Sequence, residues 1–157
     1  MIEKKFGIGK IKAKVRKMRE LIVYLQALSI YCKDAHYGFT GVNFKSLHEW
    51  VDEINEPLAD FIDEIKESYI LRHGEKVPRG TVINADAVQY VPNDLSSNES
   101  ILRALNALLS MVNTHIGNIA DATRGDDDLL GRIGAHLQKH LGLLNLALTK
   151  ENNNDID

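Results

Sequence analysis

Residues 43–72 read NFKSLHEWVDEINEPLADFIDEIKESYILR, and this stretch decides the fold. Its apolar side chains recur every three or four residues, at Phe44, Leu47, Val51, Ile54, Leu58, Phe61, Ile62 and Ile65. That spacing is the period of an amphipathic α-helix with one buried face. We therefore predict one long helix over residues 43–72, whose opposite face carries charged side chains.

The same apolar period appears in three other long stretches. One covers residues 10–37, the next begins after Ser96 and Glu99, which have capping-box spacing, and the last begins near residue 126. No stretch shows the two-residue alternation of a half-buried strand. The chain is therefore predicted to be all-α.

The lengths of the connections predict the topology. Short links at residues 38–42 and 123–125 indicate two antiparallel helical hairpins. The segment 73–95 contains two glycines and two prolines and is long enough to run the length of a bundle. Two hairpins joined by one long crossover, here between the second and third helices, form a ferritin-like four-helix bundle.

The composition is that of one globular domain. The 157 residues are 44% hydrophobic and 26% charged, enough to bury one core. We predict a single ferritin-like domain over residues 1–157, with a basic arm at 1–9 and a polar, acidic tail at 150–157. The sequence has neither an apolar run of membrane-spanning length nor a secretory leader, which predicts a cytoplasmic protein without a membrane partner. Cys32 is the only cysteine, so an intrachain disulfide is excluded.

The N-terminal segment is basic although the net charge of the chain is −3. A basic segment can bind DNA phosphates without sequence preference. The alternative is a solvated helix start whose charges only keep the protein soluble. The candidate DNA-contacting residues are Lys4, Lys5, Lys10, Lys12 and Lys14.

Four candidate metal ligands share one face of the predicted 43–72 helix, beside its apolar stripe. His48 and Asp52 are four residues apart, and so are Asp63 and Glu67, so the members of each pair lie about 6 Å apart along the helix axis. Each pair can therefore share a metal ion. Between His48 and Glu67 a straight helix rises by about 28 Å, so the two pairs cannot form one site within a single chain.

Two copies of this helix, packed antiparallel about a two-fold axis near its midpoint, bring the two pairs together. His48 and Asp52 then face the partner's Asp63 and the partner's Glu67, and the symmetry creates two such sites. His36, at the end of the first helix, can fold back toward His48. Two imidazoles and three carboxylates suit Fe(II), with Zn(II) or Mn(II) as competitors. The alternative is an acidic helix face that is merely solvated.

Residues 36–53, HYGFTGVNFKSLHEWVDE, resemble the signature of the Dps family (DNA-binding proteins from starved cells). A histidine, a Gly-x-Asn-Phe turn and a Leu-His-Glu segment recur in that family. The resemblance implies a mini-ferritin with ferroxidase activity, which oxidises Fe(II), preferentially with hydrogen peroxide, and stores ferric iron in a hollow dodecamer, protecting against oxidative damage. The residues that the resemblance assigns to an inter-subunit iron site are His36, His48, Asp52, Asp63 and Glu67.

The resemblance also assigns a pore near the start of the fourth helix, with Asp126, Asp127 and Asp128 as candidate pore residues. The alternative for these aspartates is a helix-start cap. Tyr37 and Gly142 stand where tryptophans are common in the family. A third departure is Ser68, which replaces the arginine that usually follows the ligand glutamate. All five proposed iron ligands are present.

Two other functions are compatible with the sequence. One is a DNA-compacting assembly in which iron chemistry is secondary, and the other is a helical shell that binds no metal. His136 and His140 also have the i,i+4 spacing of a metal-binding pair. Flanking leucines and Lys139 favour a surface or interface pair instead.

Overall fold

The structure is a computed structural model that describes the backbone of residues 2–120 and 122–153 and the side chains of residues 13–120 and 122–149. These ranges contain six helices and no strand, which confirms the all-α prediction. The helices are α1 (Ile2–Gly38), α2 (Phe44–Asn55), α3 (Leu58–Leu71), α4 (Gly80–Val88), α5 (Asn98–Gly117) and α6 (Arg124–Asn153).

The bundle consists of α1, the α2–α3 pair, α5 and α6 around one apolar core. α1 packs against α2, α3 and α5, while α6 packs against α5, α2 and α3. The predicted apolar face is buried from Val51 to Ile65, whereas Phe44 is 42% exposed. Cys32 lies in this core, and burial raises the pKa of its thiol. Across the described helices, none is both long and apolar enough to cross a membrane.

The predicted 43–72 helix is interrupted at Glu56 and Pro57. Proline has no backbone N–H, so the carbonyl of Glu53 lacks its i+4 donor. Both Glu56 and Pro57 nevertheless keep right-handed helical dihedral angles, and Phe61 donates its N–H to the Pro57 carbonyl at 3.1 Å. We infer a bend at this point from the proline, because the ring and the missing donor kink a helix, while the helical dihedral angles keep the chain in the same general direction. The prediction of one uninterrupted helix is wrong here.

The helices at the two ends of the chain are longer than predicted. α1 begins at Ile2, where the sequence predicted a start near residue 10, so the backbone of the basic arm continues the helix. Gly7 and Gly9 weaken the sequence signal because glycine is a poor helix former. An existing helix still gains one hydrogen bond for each added residue, which favours the extension. α6 likewise ends at Asn153, within the predicted tail.

The crossover contains a short helix that the sequence analysis did not predict. α4 buries Ile83 and Ala87, which are four residues apart, and packs against α1. Two apolar positions are too few to establish a helical period in a sequence. The long connection between α3 and α5 is otherwise as predicted.

The N-cap of α5 lies one residue after the predicted one. The N-cap is Ser97, whose Oγ accepts the Ser100 N–H at 3.1 Å. Ser96 instead donates its hydroxyl to Asp94 Oδ1 at 2.6 Å, and Glu99 pairs with Arg103. The capping box predicted from Ser96 and Glu99 is therefore wrong, because the local turn at Asp94 engages Ser96.

Candidate metal centre

His36, His48 and Asp52 converge where α1 meets α2. One potential ligand atom from each residue lies within 4.8 Å of the other two. His36 lies in the last turn of α1, while His48 and Asp52 lie on successive turns of α2. The structure thus brings together the three residues that the sequence assigned to one half of the iron site.

A tight turn holds the end of α1 against the start of α2. Gly41 has φ +80°, a conformation that favours glycine, and its carbonyl accepts the Phe44 N–H at 3.1 Å. Thr40 exchanges two hydrogen bonds with the Asn98 side chain, at 3.0 and 2.8 Å. The turn is therefore anchored to α5, and the bundle fixes the position of the ligands that flank it.

The His48 ring is oriented by a backbone carbonyl. His48 Nδ1 lies 2.8 Å from the carbonyl oxygen of His36. A carbonyl can only accept a hydrogen bond, so Nδ1 carries the proton and Nε2 keeps its lone pair. This is the arrangement by which a second hydrogen bond fixes the tautomer of a metal-binding histidine.

His36 Nδ1 lies 2.7 Å from Asp52 Oδ1. The two atoms are not aligned as a hydrogen bond, and Nδ1 is buried without a hydrogen-bond partner among the described residues. Buried polar atoms without a partner are uncommon and call for an explanation. A cation bound by both side chains would supply the missing partner of Nδ1.

This half of the site is open on one side. The His36 side chain is 18% exposed and the Asp52 side chain 50% exposed. The His36 and His48 rings lie against each other, with centroids 3.4 Å apart, so the imidazoles form the inner wall. Three ligands with an open side leave coordination positions for further groups.

Asp63 and Glu67 lie on α3, beyond the bend, and both are exposed. They occupy successive turns, as their spacing predicted. Within the described part of one chain they join no ligand cluster with His36, His48 and Asp52. Their proposed role therefore depends on a second chain.

Asp126 lies in a second cluster of charged side chains, away from this site. Its carboxylate is completely buried and accepts hydrogen bonds from Ser68 Oγ at 2.6 Å, from His73 Nε2 at 3.0 Å and from Arg72. Lys14 Nζ lies 3.4 Å from the same carboxylate. Burial by itself would raise the pKa of Asp126, but the hydrogen bonds from Ser68, Arg72 and His73 outweigh it and lower the pKa to about 2. We call these five residues the Asp126 network.

The three candidate pore aspartates are not equivalent. Asp126 has no exposed surface, so the expectation that it lines a pore is not met. Asp127 and Asp128 are exposed and remain candidates. The difference arises because helical geometry points Asp126 toward α1 and α3 and its two neighbours toward solvent.

Lys14 also departs from expectation, because a phosphate-binding lysine must be accessible. Its side chain is only 10% exposed and is paired with Asp126. Burial therefore removes it from the candidate DNA contacts. The other four candidates have side chains outside the described residues: Lys4, Lys5, Lys10 and Lys12.

His136 and His140 do not form a second metal site in this geometry. His140 is buried, and its Nδ1 accepts the Trp50 indole N–H at 3.1 Å. Burial, with a smaller contribution from His136, lowers the pKa of His140 to about 4. The neutral ring must then carry its proton on Nε2, so neither nitrogen has a free lone pair for a metal. The surface or interface assignment is also wrong for His140, which belongs to the bundle interior.

Comparisons with known proteins agree with this architecture. No protein-family model matches the sequence. One curated relative, DNA protection during starvation protein 2 of Deinococcus radiodurans, is 22% identical over 98 residues, which are 62% of this chain and 41% of that protein. The match thus spans less than half the length of the curated relative.

Solved structures match over nearly the whole chain. Antigen TpF1 from Treponema pallidum has a TM-score of 0.77 and 21% identity, covering 88% of this chain and 93% of its own. Dps from Thermosynechococcus elongatus has a TM-score of 0.73 and 20% identity, covering 89% and 92%. Dps92 from Deinococcus radiodurans has a TM-score of 0.73 and 20% identity, covering 88% and 87%. The resemblance to the Dps family is therefore confirmed, and this chain has the ferritin-like four-helix bundle of the Dps proteins.

Proposed function

We propose that this protein is a mini-ferritin with ferroxidase activity, which oxidises Fe(II) with hydrogen peroxide and stores the ferric product inside a hollow homo-oligomer. In this way it removes both reagents that cause oxidative damage. The observation that carries the proposal is the convergence of His36, His48 and Asp52, where the buried Nδ1 of His36 makes no hydrogen bond to any described residue.

The chemistry of these residues fits iron. Two imidazoles and one carboxylate make a mixed nitrogen and oxygen environment that suits Fe(II), with Zn(II) and Mn(II) as competitors. His48 presents a lone pair on Nε2 because its Nδ1–H is held by a carbonyl. Asp52 is on the exposed side, where iron and oxidant enter.

The remaining ligands come from a second copy of the chain. An antiparallel pairing that sets His48 opposite the partner's Glu67 also sets Asp52 opposite the partner's Asp63, because both pairs are spaced by four residues. Both carboxylates on α3 are exposed in one chain and are therefore accessible to a partner. One dimer then contains two equivalent sites.

The same register matches other side chains along the two helices. It sets Phe44, which is 42% exposed, opposite the partner's Leu71, which is 79% exposed in a single chain. Burial of this apolar surface would stabilise the dimer by removing it from water. It also sets Glu49 opposite the partner's Lys66, which gives opposite charges at the rim. Apolar and charged positions thus favour one register, the one that completes the metal site.

The oxidation requires two ferrous ions for each peroxide. Each Fe(II) loses one electron, the O–O bond breaks, and two protons from solvent complete two molecules of water. The protein holds ferrous iron with few enough ligands that positions stay open for the oxidant. The ferric product is less soluble and collects in the enclosed interior of the oligomer.

The test is Fe(II) oxidation, with oxygen and with peroxide, by the wild-type protein and a His48→Ala, Asp63→Ala double variant. We expect the double variant to lose the fast peroxide-driven phase. The matched control is Asp34→Asn, which alters an exposed carboxylate two residues before His36 and outside the ligand cluster. Equal rates in the wild type and the double variant would remove the proposed site. Iron bound after purification, together with the native mass, distinguishes this function from a metal-free shell.

A further inference from the structure

The bend between α2 and α3 is held from two sides. From α6, His136 Nε2 donates to the carbonyl oxygen of Ile54 at 2.9 Å. From α1, the Ser29 hydroxyl donates to Asn55 Oδ1 at 2.8 Å. Both attachments fall within three residues of Pro57, where the helix lacks one backbone hydrogen bond. Neighbouring helices, and not α2 and α3 alone, therefore set the angle of the bend.

A second bond ties the same side of α2 to α6. Trp50 donates to His140, and the rings of His140 and His136 lie edge to face with centroids 4.8 Å apart. His136 is thus fixed by its own helix and by α2 together. Its Nε2 must carry the proton, since the Ile54 carbonyl can only accept. The bond persists whether the ring is neutral or protonated.

The angle of the bend determines where the two pairs of metal ligands lie. His48 and Asp52 precede it, and Asp63 and Glu67 follow it. Glu67 is about 15 Å along the helix from Pro57, so a rotation of about 10° at the bend would move it by roughly 3 Å. Metal–ligand distances stay within about 0.2 Å of their ideal values. A small change of angle is therefore enough to separate the ligands of a shared site.

We propose that His136 is a positioning residue for the iron site, acting through its hydrogen bond to the Ile54 carbonyl and so through the α2–α3 angle. The inference rests on the proposed function, because the site it positions is the inter-subunit one. His136 itself touches neither His48 nor Asp52 and is assigned no contact with iron.

Co(II) is a suitable probe, because its visible absorption reports the ligand geometry directly and no oxidation is involved. We would titrate the wild type, His136→Leu, His136→Gln and the control Lys139→Gln, which alters an exposed neighbour on α6. Loss of a residue that orients metal ligands weakens metal binding about 10- to 100-fold, and we expect that for His136→Leu, with a changed spectrum. His136→Gln keeps an N–H donor and should recover most of the affinity and the wild-type spectrum. Lys139→Gln should match the wild type.

A second variant tests the bend without altering α6. Pro57→Ala supplies the missing N–H to the Glu53 carbonyl and should straighten the helix, so it too should weaken Co(II) binding. Equal affinity and an equal spectrum in the wild type, His136→Leu and Pro57→Ala would overturn the positioning role and leave the proposed function intact. A His136→Gln variant that binds no better than His136→Leu would overturn the hydrogen bond as its basis. Absence of Co(II) binding by the wild type would overturn the proposed function and this inference with it.

Discussion

Two clusters in this molecule are built from histidine and carboxylate side chains, and they differ in how fully those groups are satisfied. In the Asp126 network a completely buried carboxylate has donors from three side chains and a lysine nearby. At the proposed metal half-site, formed by His36, His48 and Asp52, the Asp52 side chain is 50% exposed, and His36 Nδ1 is buried without a hydrogen-bond partner among the described residues. Similar residue types thus serve different purposes in the two places.

The difference follows from the cost of burial. A charge taken out of water destabilises the fold unless other groups compensate it, so Asp126 must be matched by its neighbours in the folded chain. The half-site avoids most of that cost by staying partly exposed, and it leaves ligand atoms uncommitted. The Asp126 network therefore supports the fold, whereas the half-site keeps ligand atoms available, as the proposed function requires.

The largest expected effect is loss of stability when the network carboxylate is neutralised. Asp126→Asn leaves the ammonium of Lys14, whose side chain is only 10% exposed, without its anion and should lower the free energy of unfolding by about 3–5 kcal/mol. Asp52→Asn, at the exposed half-site, should change it by about 1 kcal/mol or less. Urea unfolding of both variants measures this, with the exposed neighbour Asp127→Asn as the matched control. Similar losses for Asp126→Asn and Asp52→Asn would contradict the distinction between the clusters.

Metal should stabilise the protein through the half-site and not through the Asp126 network. Zn(II) is redox-inert, and at about 100 times its dissociation constant it should raise the free energy of unfolding by about 2.7 kcal/mol. His36→Ala should lose this gain, whereas Asp126→Asn should keep it despite its lower starting stability. Thermal unfolding with and without Zn(II) provides the measurement. A gain that survives in His36→Ala but disappears in Asp126→Asn would reverse the roles assigned to the two clusters.

Acid should weaken the Asp126 network within a defined range of pH. The pKa of Asp126 is lowered from 3.8 to about 2 in the folded chain, so the unfolded chain takes up the proton first as the pH falls. The associated stability, about 2 kcal/mol, is fully present above pH 4 and is lost as the pH approaches 2. Urea unfolding at pH 5, 3 and 2 measures this. The free energies of unfolding of the wild type and Asp126→Asn should become more similar as the pH falls. A difference in free energy of unfolding that stays constant across this pH range would contradict a stabilising role for the ionised Asp126 carboxylate.

The fold was predictable because burial repeats along each helix. The apolar positions from Val51 to Ile65 recur at the helical period, and a sequence shows this directly. α4 escaped prediction because only Ile83 and Ala87 are buried in it. The bend at Pro57 also escaped, because Pro57 keeps a helical conformation and the apolar rhythm passes through it without a break.

The convergence of His36, His48 and Asp52 was predictable and the Asp126 network was not, for the same physical reason. His36, His48 and Asp52 are joined by one short turn, so local geometry suffices to bring them together. The partners of Asp126 come from α1 and from the end of α3, more than 50 residues away along the chain. From the sequence, Ser68 was only a departure from the arginine that is usual in the family. In the structure it is a buried donor to Asp126 and completes this network. Such contacts depend on tertiary packing, for which the sequence carries no local pattern.

Within the Asp126 network, Lys14 should contribute less to stability than Asp126 itself. Lys14→Ala removes one cation beside Asp126, while the hydrogen bonds from Ser68, Arg72 and His73 remain, so the free energy of unfolding should fall by about 1–2 kcal/mol. A lysine committed to a buried carboxylate has no charge to offer a phosphate. Any DNA retardation shown by the wild type should therefore keep its salt dependence in Lys14→Ala, whereas each true phosphate contact contributes a slope of about 0.9. A slope reduced by about one, with unchanged stability, would return Lys14 to the candidate DNA contacts and take it out of the network.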